Sequence, residues 1–342
     1  MRALNVLLLS DGRPGHFRLA EGIVAAVERR RAVNLKWLEC HRGSWPGAVL
    51  GAASNLAVFD GAILNRVYGK TPPERGAADL VVSAGAETLG ANVAYARLAG
   101  AANIFYGSLR LFRPENFSLV LTSYARNAAR PQHAMVLKPS GIPWRSERPA
   151  AVGPQRAPAT ALLLLGGDAG TTTFAADDWQ RLLTFIAATH AEHGTRWIVA
   201  NSRRTPTAVS DQVMAEAARL GTPITTFIDV RAPAATSLAS AFAEAEAVVC
   251  TDDSSSMVSE AIAAGLPTIG ARPAAHTLPL DEAGYRSYLM DNRWHQTMDI
   301  ARLAPSTFLT ALGAIVPLHQ DPLEHLSDLI GDRVPRLYTD AA

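Results

Sequence analysis

The chain has 342 residues, 48% of them apolar and 18% charged, with a formal net charge of +1. That length points to about two domains, each long enough to bury its own core. The near-neutral balance gives no support to nucleic-acid binding driven by bulk electrostatics. The two cysteines, Cys40 and Cys250, each close a predicted strand and form neither a CxxC pair nor a disulfide framework, as expected of buried thiols in a reducing compartment. The apolar residues ahead of Asp11 are too few for a secretory core, and no run approaches the roughly 18 apolar residues that span a bilayer. A cytoplasmic chain is expected, with peripheral association at the inner face of a membrane as a further expectation.

Taken in order, the chain alternates strands and helices. Leu4 to Leu9 reads as a strand, His16 to Arg31 as a helix ending in three solvated arginines, and Val33 to Cys40 as a strand. Trp45 to Tyr68 reads as one long helix packed on a sheet; docking on a membrane or lipid acceptor is its alternative. Strands follow at 79–83, 101–106, 117–121 and 135–137, with a helix over 87–98. Between Pro139 and Thr160 prolines interrupt every periodicity, which reads as a linker. The rhythm restarts with strands at 161–165, 197–200, 224–229 and 248–250, and helices at 177–193, 208–220 and 237–245. Asp177 to Gln180 looks like a capping box. Alternation of this kind predicts an α/β fold: two Rossmann-like doubly wound domains facing across a cleft. The expected divisions are an acceptor-side domain over 1–145, a linker over 146–160, a nucleotide-side domain over 161–300 and a final segment over 301–342.

Ligands in such sheets bind beyond the carboxyl ends of the strands, so the loops after strands carry the chemistry. The run from Ala247 to Gly270 reads as strand, polar turn, helix and strand, with Asp253 as N-cap, Gly265 just past the helix and Pro267 stopping it. Its turn, Ser254, Ser255 and Ser256, offers backbone N–H groups at a helix N-terminus, a ready anion site. Glu260 sits about two turns on, suited to a ribose. Gly166, Gly167 and Gly170 form a second strand-end loop, and Ser202, Arg203 and Arg204 a third; two guanidinium groups there suit a diphosphate. Alternatively, one arginine pairs with Asp252 or Asp253 and the other is solvated. In the first half, Ser10 to His16 contains Asp11, Gly12, Arg13 and Gly15, and Ser83 to Gly85 follows the third strand. His16, at a helix N-terminus, is placed to stay neutral and act as a base; a histidine that merely caps or packs is the alternative. No histidine spacing fits zinc, and neither GxSxG nor a Walker A motif occurs.

These residues carry a resemblance. Asn201-Ser-Arg-Arg-Thr-Pro206, Thr251-Asp-Asp-Ser-Ser-Ser-Met-Val-Ser-Glu-Ala261 and Ser10-Asp-Gly-Arg-Pro-Gly-His16 resemble the mitochondrial fission ELM family. Its members are mostly bacterial proteins of unassigned activity. Ser259 to Pro267 is similar, more distantly, to the nucleotide-binding helix of GT-B glycosyltransferases, including the enzyme that makes lipid II. The resemblance implies a GT-B-like fold, with Glu260 at the ribose, Ser254 to Ser256 at the diphosphate, and the loop bearing His16 on the acceptor side. It also implies that the segment from about Leu303, through Phe308, Leu309, Leu312, Ile315 and Val316, packs back on the first domain. Two departures stand out: Ala86 and Glu87 replace the family's usual basic pair, and Thr122-Ser-Tyr-Ala125 stands where a His-Asp pair is common.

The resulting expectation is a nucleotide-sugar-binding protein, a metal-independent glycosyltransferase acting on a cell-envelope or lipid-linked acceptor. His16 or Asp11 would deprotonate the acceptor, and a nucleoside diphosphate sugar would be the donor substrate, with no metal and no separate cofactor. The alternatives are a non-catalytic adaptor of the same family and a nucleotide-sugar epimerase of the same fold.

Overall fold

A computed structural model of the chain describes residues 2–145, 151–233 and 236–339. The chain divides into two compact units, one over 1–141 and 322–342, the other over 142–321. The first holds β1 (Leu4–Ser10), α1 (Pro14–Glu28), β2 (Val33–Glu39), α2 (Gly47–Asn55), α3 (Asp60–Ala62), β3 (Leu80–Ala84), α4 (Leu89–Ala99), β4 (Ala102–Tyr106), β5 (Leu119–Thr122), α5 (Ala125–Ala128) and β6 (His133–Met135). The second holds β7 (Thr160–Leu164), α6 (Ala176–His193), β8 (Arg196–Ala200), α7 (Thr207–Ala217), β9 (Ile224–Ile228), α8 (Leu238–Glu244), β10 (Ala247–Thr251), α9 (Ser255–Ala263), β11 (Thr268–Arg272), α10 (Leu280–Asp291), β12 (His295–Asp299) and α11 (Pro305–Ala314). A last helix, α12 (Pro322–Arg333), returns to the first unit.

Both sheets are wholly parallel. Every residue of β3, β4, β5, β7 and β10 is buried, as apolar runs without alternation require when helices cover both faces. The first sheet runs β2–β1–β3–β4–β5–β6 and the second β12–β11–β10–β7–β8–β9. Each order reverses once, between β1 and β3 and between β7 and β10, and a crevice opens beyond the strand ends at such a reversal. This is the predicted class, two Rossmann-like units.

Several local expectations are corrected. The segment 45–68 is not one helix: Ala57 takes a left-handed φ of 59°, which ends α2, and α3 then runs into a π-helical turn at Ile63–Val67. The capping-box reading at Asp177 to Gln180 shifts by two residues, since the helix is capped at Ala175 and Asp178 supplies the carboxylate that accepts the Ala175 N–H at 2.9 Å. The arginines after α1 are not simply solvated. Arg31 is buried and donates to the carbonyls of Arg2 and Leu337 at 3.0 and 2.8 Å, while Arg29 and Arg30 pair with Glu324 and Asp328 of α12. They fasten the last helix to the first unit. The part of the predicted linker at 146–150 lies outside the described residues.

The segment after Leu303 also differs from expectation. Phe308, Leu309, Leu312 and Ile315 pack in the core of the second unit, with the Phe308 ring 5.2 Å from Phe185 and 6.0 Å from Trp197. Their apolar stripe finds its partner on α6 and β8, so the chain returns to the first unit only at α12. Phe308→Ala is expected to cost about 3–5 kcal/mol in urea unfolding, as a large-to-small change at a fully buried ring does. A change below about 1 kcal/mol would place α11 outside this core.

His295 gives the second unit a pH dependence. It is fully buried, its Nδ1–H donates to the Thr268 carbonyl at 3.1 Å, and burial pushes its pKa down to about 3, with the Arg286 charge adding to the effect. Below about pH 6.5 the unfolded chain takes up a proton that the folded chain refuses, so stability is lost as pH falls. Between pH 7 and pH 5 this group accounts for about 2 kcal/mol. Urea unfolding at both pH values should show that loss, and His295→Gln should remove most of it; an equal loss in the variant would assign it elsewhere.

Candidate functional site

In the second unit the loops after β7, β8 and β10 meet at the strand-order reversal. β10 ends at Thr251, whose Oγ1 accepts the Gly166 N–H at 2.6 Å. Asp252 and Asp253 follow, both with buried side chains. A buried carboxylate requires a cation or several donors, and each finds them differently. Asp253 pairs with Arg204 and accepts the Gly167 N–H at 3.3 Å. It lies so close to Gly166 that a Cβ there would overlap its carboxylate, and a Cβ at Gly167 would overlap the Arg204 carbonyl. Glycine at both positions is therefore required by packing. Thr205 Oγ1 lies 2.9 and 2.7 Å from the carbonyls of Leu165 and Gly166 and accepts the Ser202 N–H at 2.9 Å, tying two of the loops together.

Several predicted roles shift within this cluster. Ser254, not Asp253, is the N-cap of α9, its Oγ accepting the Met257 N–H at 3.4 Å. Asp253 is one residue too early and is drawn instead to Arg204. Ser255 and Ser256 open the helix, and their first-turn N–H groups lack intrahelical acceptors. Glu260 lies buried at the second turn of α9. Arg203 is exposed and, among the described residues, has no partner, so the two arginines divide as the alternative reading allowed. Ser202 Oγ accepts the Arg204 N–H at 3.2 Å, a turn-forming role. Gly170 has a φ of +58° with open space around it, so its left-handed backbone, and not packing, is what favours glycine there.

A buried cluster beside this edge was not read from the sequence. Asp252 Oδ1 sits 2.8 Å from Arg286 Nε of α10, an ion-pair contact without hydrogen-bond alignment, and Asp252 Oδ2 lies 3.5 Å from His276 Nε2. Arg286 Nη2 also donates to the Asp252 carbonyl at 3.2 Å. Burial raises the Asp252 pKa against the opposing pull of Arg286 and His276; burial lowers that of His276 against the pull of Asp252. His276 Nδ1 lies 3.0 Å from Thr172 Oγ1, and a backbone bridge joins Thr173 to Ala275, so the loop after β11 is stitched to the loop after β7. The available signal was charge: two adjacent carboxylates at a strand end need two cations, and Arg204 accounts for one.

In the first unit the loop after β1 folds on Asp11. Its buried carboxylate accepts the Arg13 N–H at 3.1 Å through Oδ1, and Oδ2 lies 2.7 Å from His16 Nδ1. A carboxylate can only accept, so Nδ1 carries the proton and the Nε2 lone pair is left for chemistry. Pro14 opens α1 and puts His16 in its first turn; the His16 side chain is 32% exposed. Gly85, with a φ of +88°, lies against the ring, and a Cβ there would overlap the imidazole. Gly12, at φ +74°, donates to Ser10 Oγ at 3.0 Å. Arg13 reaches within 4.0 Å of Asp11 while largely exposed, and Gly15 has open space around it. Ser83 does not face this loop: it is fully buried and accepts from Asn92 at 2.9 Å, because β3 is covered on both faces. Glu87 is held by Arg42, with both contacts at 3.0 Å. Among the described residues no group of three or more His, Cys, Asp or Glu is placed to hold a metal ion, and no helix is long and apolar enough to cross a membrane.

Comparison with solved structures places the fold. MurG from Acinetobacter baumannii is 13% identical, with a TM-score of 0.51 covering 96% of this chain and 99% of that one. A putative UDP-N-acetylglucosamine 2-epimerase from Listeria monocytogenes is 10% identical, with a TM-score of 0.57 over 99% and 98% of the two chains. The UDP-GlcNAc 2-epimerase of Methanocaldococcus jannaschii is 11% identical, with a TM-score of 0.53 over 98% and 100%. At these identities the likeness establishes the fold, which is GT-B-like. No curated protein matches the sequence. The sequence model described as Mitochondrial fission ELM1 matches residues 14–278, well over half of the chain, and the protein belongs to that family.

Proposed function

We propose that this protein is a metal-independent glycosyltransferase that takes a nucleoside diphosphate sugar as donor. The observation that carries the reading is the Asp11–His16 pair, with Nδ1 fixed by a buried carboxylate and Nε2 left as a base. Asp11 is sealed by its own bonds and orients the ring, so the base is His16. In the second unit, the N-terminus of α9 and Arg203 supply the positive end of a helix and an unpaired guanidinium for the donor's phosphates. The acceptor's hydroxyl proton passes to His16 Nε2 as its oxygen bonds to the anomeric carbon. The bond from that carbon to the phosphate oxygen breaks, and the diphosphate leaves with the bonding pair onto the cationic edge. A cell-envelope or lipid-linked acceptor, and peripheral attachment to a membrane, belong to the same reading. The departure at Ala86 and Glu87 is consistent with an acceptor of this protein's own, since Arg42 neutralises Glu87.

One observation favours a second reading. The His276–Asp252 pair brings titratable groups to the reversal in the second sheet, where an epimerase of this fold would need acid and base around the sugar. Incubating a nucleotide sugar with the protein in D2O, with no acceptor present, separates the two. Deuterium entering a sugar C–H position supports epimerisation, and its absence supports transfer. The family's association with mitochondrial fission gives a third reading, in which the protein is an adaptor and binds no nucleotide.

Calorimetric titration with a panel of nucleoside diphosphates tests the donor site. Binding should be seen with wild type, and Arg203→Ala should weaken it by one to two decades, the effect of losing a charge-assisted contact worth about 1.5–3 kcal/mol. No binding of any diphosphate to the folded protein would remove the enzyme reading and leave the adaptor.

The base is tested separately. His16→Ala should lower turnover by roughly 10²–10⁴-fold with diphosphate affinity unchanged, and Asp11→Asn should lower turnover while His16 remains in place. Loss of folding or of diphosphate binding in His16→Ala would assign the histidine to packing against Gly85.

A further inference from the structure

The edge of the first sheet carries a feature that the proposed reaction does not use. β2 is an edge strand and, apart from Val33 and Leu38, its residues are exposed. The parallel register sets Asn5 against Asn34, Leu7 against Lys36 and Leu9 against Leu38, which places Asn34, Lys36 and Leu38 on one face. A cavity of about 740 Å³ lies there, bounded by β1, β2, the segment 70–78 and the Tyr95 and Ala99 side of α4. Its volume falls within the usual range of about 300–1,000 Å³ for small-molecule sites.

The chemistry of the walls is specific. The floor is apolar, with Leu7, Ala78, Tyr95 and Ala99 belonging to the hydrophobic core of this side of the sheet. Asn5 and Asn34 bond to each other at 3.2 Å and so ask little of a ligand. Only three lysines occur in the whole sequence, and two of them, Lys36 and Lys70, line this cavity. Neither side chain has a hydrogen-bond or ion-pair partner among the described residues, and no aspartate or glutamate lines the walls. Asp79, beside Asn5, is already bound to Arg2. An apolar trough with two unpaired ammonium groups and no acid is complementary to an apolar chain ending in an anion.

We propose that this groove binds a single-chain anionic amphiphile, an alkyl chain seated on Leu7, Tyr95 and Ala99 with a carboxylate or phosphate head between Lys36 and Lys70. The site is independent of the Asp11–His16 pair and stands whether or not the protein is a transferase. Lysine rather than arginine fits such a head, since a flexible point charge follows a headgroup that sits at no fixed angle.

The test uses the full chain and a fluorescent probe, 11-(dansylamino)undecanoic acid, displaced by palmitate, lysophosphatidate or the uncharged n-dodecyl-β-maltoside. Saturable probe binding is expected, reversed by at least one of the two anions and poorly by the maltoside. Whichever anion displaces the probe more tightly identifies the head. Lys36→Gln/Lys70→Gln should weaken anionic binding at least tenfold; both side chains are unpartnered, so the variant should keep the wild-type melting temperature. No saturable binding to wild type, equal binding in the folded double variant, or equal displacement by the maltoside would each overturn the proposal. So would sedimentation showing that β2 pairs with a second copy and that the probe competes with this pairing.

Discussion

The edge of the second sheet is organised around the buried carboxylate of Asp253. It is shielded from water, so it must be neutralised locally, and it draws in Arg204 from the loop after β8 and the Gly167 N–H from the loop after β7. Its bulk is the reason Gly166 does not tolerate a Cβ, and the Arg204 backbone beside it excludes one at Gly167. Three loops that share no sequence proximity are thus locked to one another by one charge. The same charge explains why the two arginines part company. Arg204 is consumed by the scaffold, and Arg203 has no partner among the described residues.

Asp252, next in line, solves the same problem with different partners. Its ion pair with Arg286 and its contact with His276 anchor α10 and the loop after β11 to the strand end. Two adjacent carboxylates beside a phosphate site look self-defeating from sequence. In the structure both are buried and paired, so neither faces a ligand as a bare charge, and what remains on the surface is the helix N-terminus and Arg203.

The alternation of apolar runs and helices made the fold class legible, because strands buried on both faces lose period-2 alternation and leave continuous runs such as Val248 to Cys250. The strand-end loops were legible for the same reason. What escaped was set by distant partners. Arg286 lies 34 positions beyond Asp252 on a helix whose local pattern gives no hint of an ion pair. Ser83, with its loop-like setting after a strand, was assigned to the site, yet Asn92 captures it. The destination of the 305–316 segment was equally hidden: its apolar stripe specifies burial but not which core, and the packing of Phe308 against Phe185 and Trp197 decides it. Ala57 shows the converse, since nothing in Ala-Val-Phe predicts a left-handed residue, and only the structure breaks the long helix there.

The two strand-order reversals carry opposite electrostatics on the same topological frame. At the first, a buried carboxylate is spent on a histidine and fixes the orientation of its ring. At the second, buried carboxylates are spent on arginines and a histidine, and the edge keeps the N-terminus of α9 and Arg203. Proton transfer needs a base able to gain charge, while a leaving diphosphate needs positive charge already in place. That asymmetry of an oriented histidine at one reversal and cations at the other supports the proposed transfer reaction.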